Sequence, residues 1–175
     1  EFTFCTPDSA FGVAKLASMH LTRGRCNDFG IRFLWLRVCS VYGPYDGEQT
    51  MIVSAIRELL KGNLPQLSSG QQLWDFVHSD DIAKAIVLLS LEKLTSGLYV
   101  VGEGGKLKLR EYIEHLAIHF GHTFEELIRP GAGVPIPLNS LLVNPQRLNR
   151  EVGWYPNIRF ETGLLNVIEY CRNNQ

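Results

Sequence analysis

Residues 31–38, Ile-Arg-Phe-Leu-Trp-Leu-Arg-Val, form a strand-length run that is apolar at six of its eight positions and follows Gly30. A strand with apolar side chains on both faces needs cover on both faces. A parallel sheet flanked by helices supplies that cover. Residues 97–101, Gly-Leu-Tyr-Val-Val, read as a second strand of the same kind, and residues 73–77 as a short third one. Helical patterns alternate with these runs. Residues 9–25 follow the start signal Pro7-Asp8-Ser9 with Phe11, Ala14, Leu16, Ala17 and Leu21 as small and apolar positions. Residues 49–61 place Met51, Ile52, Ala55, Ile56 and Leu59 at helical spacing, and Ser79-Asp80-Asp81 opens a helix with an apolar face of Ile82, Ala85, Ile86 and Leu89. There Ser79 is the expected cap, and the two carboxylates sit where the positive helix end favours them. Residues 109–120 and 160–170 are two further helices, the last repeating Phe160, Leu164, Val167, Ile168 and Cys171. Residues 129–137 read as a loop. Strands alternating with helices give an α/β architecture.

Composition narrows the function classes. Of 175 residues, 45% are hydrophobic and 20% charged, so the chain can bury a core, and disorder is excluded. The formal net charge of −1 lacks the basic footprint of a nucleic-acid binder. No apolar run approaches the roughly 20 residues that span a bilayer, and no basic-then-apolar leader opens the sequence. Cys5, Cys26, Cys39 and Cys171 are scattered without a C-x-x-C pair, which suits reduced thiols in the cytoplasm. His115 and His119 share a helical face and His122 follows, but no Glu succeeds His115 as an H-E-x-x-H metal motif requires. No metal is therefore expected. Gly102-Glu103-Gly104-Gly105-Lys106 imitates a phosphate loop, but Val100 stands where that motif needs glycine and Leu107 where it needs Ser or Thr. It reads as a strand-to-helix turn.

Four segments carry more information together than apart. They are Pro7-Asp8-Ser9-Ala10-Phe11-Gly12-Val13-Ala14-Lys15, then Leu36-Arg37-Val38-Cys39-Ser40-Val41-Tyr42-Gly43-Pro44, then residues 74–85 from Trp74-Asp75-Phe76-Val77-His78 through Asp80-Asp81 to Ala85, and Glu151-Val152-Gly153-Trp154-Tyr155-Pro156. In order and spacing they resemble the C-terminal half of the extended short-chain dehydrogenase/reductase family, the NAD-dependent epimerase/dehydratase group acting on nucleotide sugars. The resemblance runs from Pro7 to about Tyr170. The Arg-x-x-Ser-x-Tyr-Gly-Pro and Gln-x-Trp-Asp variants look most like the bacterial branch of CDP- and dTDP-linked deoxysugar synthesis.

The resemblance implies the C-terminal part of a doubly wound Rossmann-type sheet with a small mixed substrate-binding domain, and NAD or NADP as cofactor. It implies that Lys15 is the lysine of a Tyr-x-x-x-Lys helix, whose four-residue spacing puts both side chains on one face. In the family the lysine holds the nicotinamide ribose and the tyrosine relays a proton. Here Phe11 stands at the tyrosine position, and a phenyl ring has no proton to relay. By itself Phe11 also fits a core aromatic, and Lys15 a solvated helix lysine. The second segment places Val38 and Cys39 beside the cofactor and Ser40, often Asn in relatives, beside the substrate. Tyr42 belongs either to the substrate site or to a rigid Tyr-Gly-Pro turn. Trp74 replaces an Arg that in many relatives binds phosphate; an indole offers stacking on a base or sugar instead. Asp75, Asp80 and Asp81 resemble structural carboxylates.

The glycine-rich dinucleotide loop and the family's catalytic Ser or Thr lie upstream of these motifs and are not in the sequence. Residues 1–175 are accordingly expected to be the C-terminal portion of such an enzyme, with Glu1 at an internal cut and the dinucleotide-binding half absent. On this expectation the chain contributes the substrate side of the cleft and is inactive alone. The alternative is a non-catalytic nucleotide-sugar-binding or dimerisation module. Its homodimer would form through the helix from Ser9 to Arg25, where Gly12, Ala14, Ala17 and Ser18 permit close approach.

Overall fold

The computed structural model describes residues 6–91, 96–128 and 140–174. Cys5 and the expected loop at 129–137 lie outside these. In chain order the elements are α1 (Ala10–Asp28), β1 (Leu34–Val38), β2 (Ser40–Tyr42), α2 (Met51–Leu60), β3 (Leu73–Trp74) and β4 (Phe76–His78). They continue with α3 (Ser79–Leu91), β5 (Gly97–Val101), β6 (Leu107–Lys108), α4 (Leu109–His119), α5 (Phe124–Leu127), α6 (Gln146–Val152) and α7 (Phe160–Asn173). β1 pairs in parallel with β5, Leu34 opposite Gly97 and Val38 opposite Val101. β2 pairs in parallel with β4, Ser40 opposite Phe76. β3 and β6 form a short antiparallel pair. The α/β, parallel-strand architecture is thus the one the apolar runs require.

Side-chain alternation along β1 assigns the layers. Leu34 and Leu36 pack with Ile82, Ala85 and Leu89 of α3, together with Tyr99, Val101, Leu148 and Trp154. Trp35 and Arg37 point to the opposite face, where they line a cleft with Gly12, Lys15 and Met19 of α1. A second core gathers α2, α4 and α7 around Tyr42 and Phe76, and Phe160, Leu164, Val167, Ile168 and Cys171 are all buried there. Phe76, Tyr112 and Phe160 form a ring cluster with centroids 4.7–6.0 Å apart. Such edge and offset contacts add to simple area burial.

Several expectations need correction. The strand in residues 31–38 begins only at Leu34 and is half-buried, because among the described residues it is paired on one side alone. The strand expected at 73–77 is two strands, broken at Asp75. Ile86 is exposed, since α3 covers the sheet with a narrower stripe than its sequence offers. Ser79 does not cap α3. The Asp80 amide donates instead to His78 Nδ1 at 3.2 Å, and Ser79 lies so close to Gly43 that any Cβ there would overlap its side chain. Asp81 is no mere dipole residue either: it is fully buried and accepts from Asn157 N (2.9 Å), Ile158 N (2.8 Å) and Lys84 Nζ (3.1 Å). With Trp154 Nε1 donating to Asp81 O at 3.0 Å, it fastens residues 154–158 to the start of α3.

Candidate functional site

Ligands of open α/β sheets bind beyond the carboxyl ends of the strands. In this chain β1 and β5 end together, and one further bond runs from Cys39 N to Val101 O at 3.3 Å. There the ladder forks: the chain of β1 continues past Cys39 into β2, whose partner is β4 rather than β5. Asp75 sits in the fork. Its Oδ1 accepts from Glu103 N and its Oδ2 from Gly104 N, both at 2.7 Å. A side chain at Gly102 would lie 2.5 Å from Val143 Cγ1 and 2.8 Å from Asp75 Oδ1, so glycine is required. The Gly102-Glu103-Gly104 turn is an anion nest whose anion is the protein's own carboxylate. Burial pushes the Asp75 carboxyl up more than these amide bonds pull it down. Glu103 is also pushed up, by burial first and then by Asp75.

The expected site residues fall around this fork. Val38 is the last residue of β1, and Cys39 follows with its thiol raised by burial and then by Asp75, against the pull of Arg37. Trp74 Nε1 donates to Ser40 Oγ at 2.9 Å, joining two residues that stand 34 positions apart in sequence. Across β1 a cleft of about 340 Å³ separates it from α1, with Thr6, Gly12, Lys15 and Met19 on one wall and Trp35 and Arg37 on the other. Lys15 Nζ lies 5.3 Å from the centre of the Phe11 ring. Phe11 is 73% exposed, which removes the core-aromatic reading. Val38, Cys39 and Ser40 thus follow one another at the end of β1, with Trp74 bonded to Ser40, while Lys15 lies across β1 in the α1 cleft.

Tyr42 does not join them. Its ring is buried against Phe76, His78 and Phe160, its hydroxyl donates to Phe160 O at 3.5 Å, and burial raises its phenol pKa. Of the two sequence readings, the structure supports the rigid turn, because a side chain enclosed on all sides has no face for a substrate. The histidines serve local contacts. His115 Nε2 lies 3.2 Å from Glu161 Oε1 and His122 Nδ1 3.7 Å from Glu126 Oε2. Among the described residues no group of three or more His, Cys, Asp or Glu is placed to hold a metal ion. Nor is any helix there long and apolar enough to cross a membrane. Sequence reasoning missed Glu103 and the reach of Asp75. An acid interrupting the apolar run of residues 73–77, with a Gly-rich turn downstream, was the available signal.

A family model described as the NAD dependent epimerase/dehydratase family matches residues 1–102. The chain belongs to that family. It is 24% identical to dTDP-glucose 4,6-dehydratase of Escherichia coli over 186 residues, which take in 100% of this chain and 51% of that protein. It is 26% identical to the protein of the same name from Xanthomonas campestris, covering 52% of it. The epimerase/dehydratase chain thus spans about half the length of the curated relatives it matches. Among solved structures, RMD from Pseudomonas aeruginosa complexed with NADPH superposes with a TM-score of 0.87 at 22% identity, over 98% of this chain and 58% of that one. MoeE5 in complex with UDP-glucuronic acid and NAD gives 0.85 at 25% identity, over 100% and 59%. These likenesses bear out the doubly wound fold.

Proposed function

We propose that this chain forms the substrate side of the cleft of an NAD(P)-dependent enzyme that epimerises, dehydrates or reduces a nucleotide sugar, and that alone it does not turn substrate over. What supports this reading is that Val38, Cys39 and Ser40 leave the carboxyl end of β1 in succession, with Trp74 bonded to Ser40 and Lys15 lining the cleft on the α1 face of β1. NAD(P) suits this end: Lys15 would offer its exposed ammonium to a ribose, and the exposed Val38 and half-buried Cys39 would border the nicotinamide. When bound, the cofactor accepts or returns a hydride. Ser40 retains a hydroxyl proton to donate to a substrate oxygen while accepting from Trp74. Phe11 has no ionisable proton, so the acid/base step has no carrier at that position. The NAD, NADPH and UDP-sugar complexes of the structural relatives support the ligand classes. The three described cysteines are free thiols, which goes with action in the reducing cytoplasm.

Incubating the chain with NAD or NADH and dTDP-glucose or UDP-glucose tests the reading. Nicotinamide absorbance is expected to stay flat. Measurable hydride transfer would refute the inactivity. A second reading, dimerisation, is favoured by α1, which has no buried residue over 19 positions and exposes Phe11, Val13 and Leu21. Light scattering tests it: a strict monomer at high concentration sinks the homodimer.

A further inference from the structure

We propose that the open edge of β1 pairs antiparallel with β1 of a second copy of this chain, about a two-fold axis at Leu36. This does not depend on the nucleotide-sugar reading, and it sets the contact on a strand rather than on α1. Among the described residues β1 pairs with β5 alone. Its backbone bonds fix which groups the other edge offers. Gly97 N donates to Phe33 O at 2.8 Å and Cys39 N to Val101 O at 3.3 Å, so the odd-numbered residues turn their N–H and C=O groups toward β5. Successive residues of a strand alternate in this respect. The amides and carbonyls of Leu34, Leu36 and Val38 therefore face the open side. Such an edge is a template for another strand unless proline, a bulge or an inward charge blunts it. Residues 34–38, Leu-Trp-Leu-Arg-Val, contain no proline, and their one charged residue stands on the α1 face.

Self-complementarity selects a second copy as the occupant. In the register that uses the whole strand, Leu36 lies opposite Leu36, and Leu34 opposite Val38, of the second copy. Each of these is a pair that exchanges both N–H···O bonds, because both members present their backbone groups to the seam. A one-residue slip would oppose groups facing the seam to groups facing β5 and lose the bonds. A two-fold axis normal to the sheet keeps each face on its own side. On the α3 side the layer of Leu34 and Leu36 continues across the seam, and the exposed Val38 gains Leu34 of the second copy as a neighbour. On the α1 side Trp35 comes opposite Arg37 of the second copy, a ring against a cation rather than two like charges. A strand of 5 residues offers less than a standard-size interface, so the pairing is weak and depends on concentration.

The test follows the chain from about 1 µM to about 1 mM, the span in which a weak dimer forms. Analytical sedimentation is expected to show a monomer–dimer equilibrium. Amide exchange locates the contact. Where about nine-tenths of the chains are paired, the Leu34, Leu36 and Val38 amides should exchange about tenfold slower than in the dilute chain, while those of Trp35 and Arg37, already turned to β5, change little. Val38→Pro removes an N–H from the open side and none from the β1–β5 ladder, and is expected to weaken the dimer about tenfold or more. Val38→Thr keeps the N–H and the branched side chain and should stay within about twofold of wild type. The exchange pattern is read on the unsubstituted chain, so it decides even where Val38→Pro unfolds. A monomer throughout the range overturns the pairing. So does a dimer whose three open-side amides keep their dilute rates, which returns the contact to α1, and so does a Val38→Thr variant weakened as much as Val38→Pro.

Discussion

Replacing Asp75 with alanine removes the acceptor of two 2.7 Å amide bonds at the point where the ladder forks. Each of these part-buried N–H groups left without a partner costs about 1–3 kcal/mol. Relief from burying a carboxylate offsets part of this, because charge is costly away from water. A net loss of about 2–4 kcal/mol is expected, a large part of the roughly 5–15 kcal/mol that holds a domain. With a urea slope near 2 kcal/mol per molar, the midpoint falls by about 1–2 M. Asp75→Asn keeps one acceptor and turns one amide against its own NH2 group, so it costs less, about 1–2 kcal/mol. Amide exchange at Glu103 and Gly104 localises the effect: both protons should exchange faster in the alanine variant, while the β1–β5 ladder keeps most of its protection.

The pH dependence tests the balance of forces directly. The folded-state pKa of Asp75 is raised above the ordinary 3.8. A raised carboxyl contributes its stability fully below the unfolded value and loses it as pH rises through the folded one. Wild type should therefore lose stability relative to Asp75→Asn as pH climbs above 3.8. If wild type gains over that interval, the amide bonds outweigh desolvation and the reasoning is wrong. An alanine variant within 0.5 kcal/mol of wild type, on the scale of ordinary surface changes of roughly ±0.5 kcal/mol, would refute the fork itself.

His78 is buried, its Nε2 has no hydrogen-bond partner among the described residues, and burial lowers its pKa from 6.5. Its stabilising contribution is complete above pH 6.5 and is lost as pH falls through the lowered value, so unfolding midpoints should decline over that range in wild type. His78→Asn, whose carbonyl can still accept from Asp80, should flatten the decline, and an unchanged profile would count against the assignment. Gly163→Ala is expected to destabilise by about 1–2 kcal/mol despite alanine's helix preference, because a Cβ there overlaps Tyr42 Oη and lies 2.7 Å from His78 Cδ2. Calorimetry showing a stabilised variant would mean that the Tyr42 ring gives way.

Periodic signals were legible in the sequence, and closures between distant residues were not. The apolar runs and helical spacings placed α2, α3, α4, α7 and β5 within a few residues, because burial is what those patterns encode. The four ordered motifs located Lys15, Val38, Cys39 and Ser40 near one another only by resemblance. The structure puts Val38 at the end of β1 beside Val101 of β5, with Cys39 and Ser40 next in the chain, and Lys15 across β1 in the α1 cleft. Asp75 was legible as a carboxylate but not as a tertiary staple, since its partners lie 28 and 29 positions downstream and are backbone amides that no side-chain pattern announces. Asp81 escaped for the same reason, bonding amides 76 and 77 positions away. Tyr42 stayed open between two readings because an aromatic in a Tyr-Gly-Pro turn has the same sequence whether it faces a cleft or a core. Only the packing of Phe160 and Gly163 from α7 decides between them.

Phe11 and Lys15 permit a test in which chemistry separates from folding. Their cation–π contact at 5.3 Å is exposed and contributes about 0.5–1 kcal/mol at most. Phe11→Tyr keeps the ring and adds a hydroxyl in solvent, so stability should stay within about 0.5 kcal/mol of wild type. The new phenol would share a helical face with the Lys15 ammonium, and a neighbouring positive charge favours phenolate. Ultraviolet difference titration of variant against wild type should therefore show one added phenol ionising below the ordinary value of about 10. It stands clear of Tyr42, Tyr99 and Tyr112, whose own ionisations burial drives upward. Lys15→Met in the Phe11→Tyr background should return the added step to about 10, the ordinary phenol value. A step at or above that value with Lys15 present would show that the lysine does not act electrostatically on position 11. The helix would then present a lysine without the phenol-activating role that the family motif implies, and Phe11 would mark no lost catalytic hydroxyl.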